Sequence, residues 1–181
     1  FCAKLSDALL DLFSHSSDGA HLAEAVRAAD RAMAAAPTGH PDMTAALDSA
    51  CRVGEQQFEQ DGDVAHLRRA EGFAEQACSA PRELQGADRG SLFNVWANVL
   101  RTWHGATGEP YLLDRAIAAQ REAVKATPPR NMNRAGILAN MATTYWRHAK
   151  ATGDRTFLPE AYDLYRKAIS AAPGARSAAL H

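Results

Sequence analysis

The chain has 181 residues, of which 46% are hydrophobic and 23% are charged, a composition typical of a folded protein rather than a disordered one. Its formal net charge of −1 provides no strong field that would attract nucleic acid or an anionic membrane. No apolar run approaches the roughly 18 residues needed to cross a bilayer, and no basic stretch followed by an apolar one opens the chain as in a signal peptide. We therefore expect a cytoplasmic protein with no nucleic-acid and no membrane partner.

One pattern of residues occurs four times along the chain. It starts at an anchor leucine, and the four anchors Leu22, Leu67, Leu113 and Leu158 lie 45, 46 and 45 residues apart. An alanine follows each anchor at +3 and at +10, in the pairs Ala25 and Ala32, Ala70 and Ala77, Ala116 and Ala123, and Ala161 and Ala168. A proline follows at +15, or one place earlier after Leu67: Pro37, Pro81, Pro128 and Pro173. A fixed period of this length indicates a stacked repeat array.

Each repeat contains two helical patterns, which we name helix A and helix B. Helix B begins just before the anchor, has a stripe of small and apolar residues with helical period, and ends at the proline. Gln120 at +7 is an imperfect match, because the other repeats have Ala29, Ala74 and Tyr165 there. The predicted helices cover residues 2–15, 20–36, 43–60, 64–80, 89–105, 110–126, 133–151 and 156–171.

Helix A has a small residue sixteen places before each anchor: Ser6, Cys51, Ala97 and Ala142. Small residues here and at +3 and +10 allow the two helix axes to approach to roughly 8–10 Å. We predict an all-α fold, a right-handed α-α superhelix of four helix-turn-helix repeats. Repeats at about 1–40, 41–87, 88–131 and 132–175 form one domain over residues 1–181.

The turns also repeat. An acidic residue precedes each anchor by four places (Asp18, Asp63, Glu109 and Asp154), where it can cap helix B or interact with its dipole. Gly62, Gly108 and Gly153, with Ser17 in the first repeat, suit the left-handed position that ends helix A. Asp42, Asp88 and Asn133 are the predicted N-caps of the A helices that follow.

These residues resemble a tetratricopeptide (TPR) array, in which helix A carries a small residue and, three places later, a large one, and helix B two alanines and a closing proline. Ala142, Tyr145, Ala161, Ala168 and Pro173 show the match. The period of about 45 residues, longer than the family's own, is similar to the long repeats found beside caspase-like CHAT domains. The segments FNVWANVL (93–100) and ATPPRNMNRA (126–135) carry that similarity. The resemblance implies recognition of a protein or peptide, as a scaffold or as the regulatory part of a larger effector.

No motif in the chain predicts catalysis, a cofactor or a metal. The three cysteines, Cys2, Cys51 and Cys78, are widely spaced without a CxxC, and we interpret them as buried packing residues in a reducing compartment. His40-Pro41-Asp42 matches the HPD signature of J-domain co-chaperones but lies in the loop that recurs between repeats, so we interpret it as a turn with an N-cap. His104 and His148 lie near the ends of A helices, where a dipole contact explains them.

The candidate binding residues lie on helix A beside its packing stripe. The predicted peptide-binding groove comprises Asp48, Arg52, Asn94, Asn98, Arg101, Thr143, Trp146 and Arg147. Asp7 and Asp11 belong to the same face of the first repeat, so the face changes from acidic to amide-rich and basic along the chain. Amides can bracket a peptide backbone, and arginine can hold a carboxylate with two hydrogen bonds. Arg101 and Trp146 are the sharpest candidates, because these residue types are typical binding anchors.

We therefore predict a non-enzymatic scaffold that binds a protein or peptide partner on its concave face. A regulatory domain that senses a small molecule and controls a separate effector is the alternative, and a third is an enzyme that uses acids such as Asp48 or Glu55. No polar capping helix follows Pro173, and terminal repeats normally need a polar outer face. We expect that the chain is cut from a longer array or that its ends self-associate.

Overall fold

The computed structural model describes residues 1–37, 39–80 and 89–172, and within them the fold is all-α. The helices of this part of the chain are α1 (Cys2–Ser16), α2 (Gly19–Ala35), α3 (Met43–Asp61), α4 (Val64–Ser79), α5 (Arg89–Thr107), α6 (Tyr111–Ala126), α7 (Arg134–Thr152) and α8 (Leu158–Ala171). The predicted all-α fold of eight helices is confirmed, and each helix bound falls within two residues of the prediction. None of these described helices combines the length and apolar character that crossing a membrane requires.

The chain divides into two compact units, residues 1–88 and residues 89–181. In the first unit, α1 packs on α2 and α3 on α4, while α3 also packs against both helices of the preceding pair. The second unit repeats this scheme with α5 on α6, α7 on α8, and α7 against both α5 and α6. Each unit is thus a pair of helical hairpins, in which helix A of the second hairpin covers the first.

The small residues of the repeat form the seam between helix A and helix B. The alanines at +3 and +10 are all buried, as are the small residues at −16 on the A helices. In the first repeat the hydroxyl of Ser6 donates a hydrogen bond to the carbonyl of Ala25, 3.0 Å away, which joins the −16 and +3 positions directly. The predicted close approach of the two helices in each repeat therefore depends on these small side chains.

The A helices end as predicted. Gly62 and Gly153 are the C-caps of α3 and α7, with φ of 74° and 76°, and Gly108 after α5 has φ of 74°. Ser17 after α1 adopts the same left-handed conformation with φ of 55°. This region of φ is unfavourable for residues with a Cβ, so glycine is the preferred residue there. Pro37 and Pro128 lie two residues beyond the ends of α2 and α6, whereas Pro81 and Pro173 lie outside the described residues.

The helix starts only partly follow the prediction. Asp18 and Asp63 cap α2 and α4, accepting hydrogen bonds from the backbone of Ala20 and Ala65 at 2.9 and 2.8 Å. Glu109 and Asp154 do not serve as N-caps, because α6 and α8 begin further along, after Pro110 and Phe157. Asp154 instead holds the turn by accepting a hydrogen bond from the backbone of Thr156 at 2.9 Å.

The N-caps predicted for the A helices also need correction. Asp42 and Asn133 occupy the N-cap positions of α3 and α7, but neither side chain makes a capping hydrogen bond. Their own backbone N–H groups donate to side chains two residues earlier, Asp42 to His40 Nδ1 and Asn133 to Asn131 Oδ1. The side chain that fixes the turn therefore comes before the helix rather than at its cap. Asp88 lies outside the described residues.

Cys2, Cys51 and Cys78, all among the described residues, are thiols that form no disulfide. Cys51 and Cys78 are buried as predicted, and burial raises the pKa of the Cys51 thiol well above its usual value. A thiol held protonated in this way is a poor nucleophile. Cys2 is only half-buried, because it lies in the first turn of α1.

Candidate functional site

The A helices of each unit run side by side in a fixed register. In the second unit the side-chain amide of Asn140 on α7 donates to Asn94 Oδ1 on α5 at 2.9 Å, and the two residues are 46 positions apart. In the first unit Arg52 on α3 contacts Asp7 on α1 at 2.9 Å, 45 positions earlier. Residues 45 or 46 positions apart, about one repeat, therefore lie at similar heights on neighbouring A helices.

A cluster of three amides lies where α5, α6 and α7 meet. Asn94 Oδ1 accepts hydrogen bonds from Asn140 and from Gln120 Nε2, the latter at 3.2 Å. Gln120 is fully buried, and its Oε1 has no hydrogen-bond partner in the part of the chain that the structure describes. A buried carbonyl without a hydrogen bond lowers the stability of a fold by roughly 1–3 kcal/mol, so Gln120 is an unfavourable choice for a residue that only fills the core.

Two guanidinium groups lie above the amide cluster. By the same register, Arg101 on α5 stands at the height of Arg147 on α7, seven residues and about 10 Å beyond Asn94 and Asn140 along the helices. Arg101 Nη2 donates to Asn98 Oδ1 at 3.0 Å, which holds its side chain along α5. The register of the two helices thus brings the positions of two arginines to one height at one end of the amide cluster.

His104 completes this basic group. It lies in the last turn of α5, and its pKa is lowered because the ring is partly removed from water and because the charge of Arg147 is near. The imidazole is therefore neutral at neutral pH and leaves the local positive charge to the arginines. Neither α5 nor α7 contains an Asp or a Glu, so the face formed by the A helices of the second unit is basic without internal carboxylates. We name Asn94, Asn98, Arg101, Asn140 and Arg147 the amide–guanidinium face.

Thr143 and Trp146, the remaining candidates of this unit, lie toward α8. The hydroxyl of Thr143 is 2.9 Å from that of Tyr165 on α8. Trp146 is half exposed, with the Lys150 ammonium 5.5 Å from its ring centroid. The equivalent of Trp146 in the first repeat is Leu10, which is buried in the core shared by α1, α2 and α3. Trp146 therefore belongs to the edge that a further helix A would cover.

The face of the first unit is an ion-pair network. Arg52 contacts the carboxylate of Asp7 and lies 3.7 Å from Asp11, so two acids of α1 share its guanidinium. Asp48 is exposed, yet partial desolvation raises its pKa, and the charge of Asp7 adds to this while Arg52 opposes it. The side chain of Arg52 thus links α1 to α3.

Sequence reasoning missed Asn140, Gln120 and His104 as parts of the site. A signal existed for Gln120, because it interrupts the apolar stripe of helix B. The sequence predicts a dipole contact for His104, and its proximity to Arg147 depends on the contact between α5 and α7. His148, assigned in the same way, lies 3.1 Å from Asp114 on α6 and is buried. These contacts come from the pairing of helices and not from spacing along the chain.

A concavity of about 380 Å³ lies in the first unit, away from the predicted groove residues. Its lining comes from α2, α4 and the start of α3, with Met33, Met43 and Phe73 as the large apolar side chains. Arg69 closes one side through a 2.7 Å ion pair with Asp30 and stacks over Phe73. Among the described residues, no group of three or more His, Cys, Asp or Glu side chains is placed to hold a metal ion.

Comparison with known proteins gives information on the fold. No protein-family model matches the sequence, and a search of the curated proteins finds no significant match. Among solved structures, a chain described as a "DHF58 filament" is similar, with a TM-score of 0.57 and 18% sequence identity over 97% of this chain and 93% of that chain. At this identity the similarity concerns the arrangement of helices alone.

Proposed function

We propose that this protein is a non-enzymatic, TPR-like binding scaffold whose amide–guanidinium face binds an acidic segment of a protein or peptide partner. The observation that carries the proposal is the pair Arg101 and Arg147 at one height on adjacent A helices, above an amide cluster and without a carboxylate on either helix. Two guanidinium groups can each form paired hydrogen bonds with a carboxylate. An extended peptide with an acidic side chain or a C-terminal carboxylate satisfies this chemistry.

The amides extend the proposed site along the peptide. Asn98 and Asn140 each carry a donor and an acceptor, the combination that pairs with a peptide unit. The buried Gln120 holds Asn94 in place from beneath through a 3.2 Å hydrogen bond, so the Asn94 oxygen is fixed by the core. A preorganised polar face of this kind loses little side-chain entropy when a ligand binds. The proposal assigns binding and no covalent chemistry, and it requires neither a cofactor nor a metal.

The proposed setting is the cytoplasm. Cys2, Cys51 and Cys78 are thiols outside any disulfide, and two of them are buried within the repeat core. Such thiols are usual where the environment keeps cysteine reduced.

A direct test uses a fluorescent acidic peptide that carries two adjacent aspartates and a free C-terminal carboxylate. We expect Arg101→Gln and Arg147→Gln each to weaken its binding about tenfold, because a hydrogen bond to a charged group contributes roughly 1.5–3 kcal/mol and 1.4 kcal/mol corresponds to a factor of ten. The measurement is fluorescence anisotropy at low and at high salt, where high salt should weaken the wild-type interaction.

Lys167→Gln is the matched control, since it removes the same charge from an exposed position on α8. It should leave the affinity within a factor of about two, the effect expected of a distant surface charge. A second control is the same peptide with asparagine for aspartate and an amidated C-terminus, which should bind far more weakly. Equal binding of both peptides, or equal loss in all three variants, would contradict the proposal.

A further inference from the structure

The outer side of α1 exposes several apolar side chains. Its exposed apolar residues Phe1, Leu5 and Leu12 lie at −21, −17 and −10 from the anchor, and Leu5 and Leu12 are 47% and 52% exposed. In the second repeat of each unit, the residues equivalent to Leu5 are Ala50 on α3 and Met141 on α7, which are only 7% and 5% exposed. In both cases helix A of the second repeat buries this face against the hairpin before it. The outer side of α1 is therefore a face that the array normally buries.

The second face is the edge formed by α8 with Trp146 of α7. Tyr162, Tyr165 and Ile169 lie at +4, +7 and +11 from the anchor, and they are 65%, 38% and 68% exposed. The equivalent positions on α6 hold Ile117, Gln120 and Val124, and Ile117 and Val124 pack in one cluster with Leu138 and Met141 of α7. The edge is therefore the surface that receives the next helix A, with aromatic and branched side chains exposed.

The outer side of α1 and the α7–α8 edge are complementary surfaces. The structure contains two interfaces, each formed by one surface of each kind. The first half is the outer side of helix A, and the second half is the edge of the preceding hairpin. These halves meet between α3 and the α1–α2 hairpin, and again between α7 and the α5–α6 hairpin. Among the described residues, the outer side of α1 exposes the first half of this interface, and the α7–α8 edge exposes the second half.

We propose that the protein associates with itself head to tail, with α1 of one copy packing on the α7–α8 edge of another as α7 packs on α5 and α6. The contact joins two different surfaces, so it leaves one face of each kind free on a dimer and continues into longer assemblies or closes into a ring. Burial of aromatic and aliphatic side chains drives it, and the small Ala8 at −14 of α1 allows close approach. The exposed apolar residues that define the two faces are not residues of the amide–guanidinium face.

The test is sedimentation velocity of the chain across a wide concentration series, with three single variants. The wild type should grow beyond a dimer as concentration rises. Leu5→Lys and Ile169→Lys each place a charge in one face, so each should remain monomeric at every concentration. Both side chains are exposed, so circular dichroism should show unchanged helicity in both variants. Ser170→Lys, exposed beside Ile169 on α8, is the matched control and should assemble like the wild type.

A mixture of the two blocked variants gives the decisive result. Leu5→Lys keeps its α7–α8 edge and Ile169→Lys keeps its α1 face, so the mixture should form a dimer and stop there. A wild type that is monomeric at all concentrations would overturn the proposal. Assembly that persists in either variant alone would do so as well, since it would indicate a contact between two identical faces or at another surface.

Discussion

Ala123→Phe should destabilise the protein by about 1–3 kcal/mol, because it overpacks the seam between α5 and α6. Ala123 is fully buried at the +10 position of its repeat. Its carbonyl oxygen accepts a hydrogen bond from the Thr127 hydroxyl at 2.7 Å, and Gly90 of α5 approaches the same oxygen closely. A phenyl ring has no space here unless the two helices separate. Urea denaturation monitored by circular dichroism measures the loss.

The control is Ala118→Phe, which introduces the same side chain on the exposed side of the same helix. Surface substitutions of this kind change the free energy of unfolding by about 0.5 kcal/mol or less. If Ala123→Phe were as well tolerated as Ala118→Phe, the repeated alanines would not form the seam. The repeat register from which all positions are counted would then be wrong.

Gly90→Ala should also destabilise, by about 1–3 kcal/mol, although alanine is the better helix former. A Cβ at residue 90 would lie 2.0 Å from Thr127 Oγ1 and 3.2 Å from both Thr127 Cβ and the carbonyl oxygen of Ala123. The hydroxyl can rotate away only by giving up its hydrogen bond to Ala123, and the backbone oxygen cannot yield without moving α6. Differential scanning calorimetry and urea denaturation both report the change.

Gly105→Ala, in the same helix, should change the free energy of unfolding in the opposite direction. Nothing lies within 4 Å of a Cβ at that position, so the helix propensity of alanine should stabilise the protein by about 0.5–1 kcal/mol. The penalty of Gly90→Ala should shrink when it is combined with Thr127→Ala, which removes the clashing hydroxyl. Equal effects of the two glycine substitutions would show that α5 and α6 do not approach as closely as the structure indicates.

The helices and their seam could be predicted from the sequence because both depend on local spacing. The alanines at +3 and +10 and the small residue at −16 recur in every repeat, and all of them are buried. Glycine before the acidic residue marked the helix ends for the same reason, since the left-handed conformation selects glycine. A period repeated four times provides the positional information that a single copy lacks.

The contacts between repeats could be predicted only in part. The sequence predicts which polar residues of helix A lie beside its packing stripe, but whether such a residue pairs with a neighbour depends on how α5 and α7 align. Asn140 lies within hydrogen-bonding distance of Asn94 because α7 runs beside α5 with residues 46 positions later in the sequence at the same height. Arg52, predicted as a groove residue, contacts two carboxylates of α1 for the same reason. Such pairings come from tertiary packing, which the spacing in one helix does not encode.

The most direct measurement of the proposed binding face is an NMR titration of the ¹⁵N-labelled protein with the acidic peptide. We expect the side-chain Nε–Hε signals of Arg101 and Arg147 to shift, together with the side-chain amides of Asn98 and Asn140. The amide of Asn133, which donates to Ser91 near the start of α5, should stay in place as an internal control. Saturable shifts confined to the amide–guanidinium face would support the account. Shifts at other residues with the signals of Arg101, Arg147, Asn98 and Asn140 unchanged would contradict it.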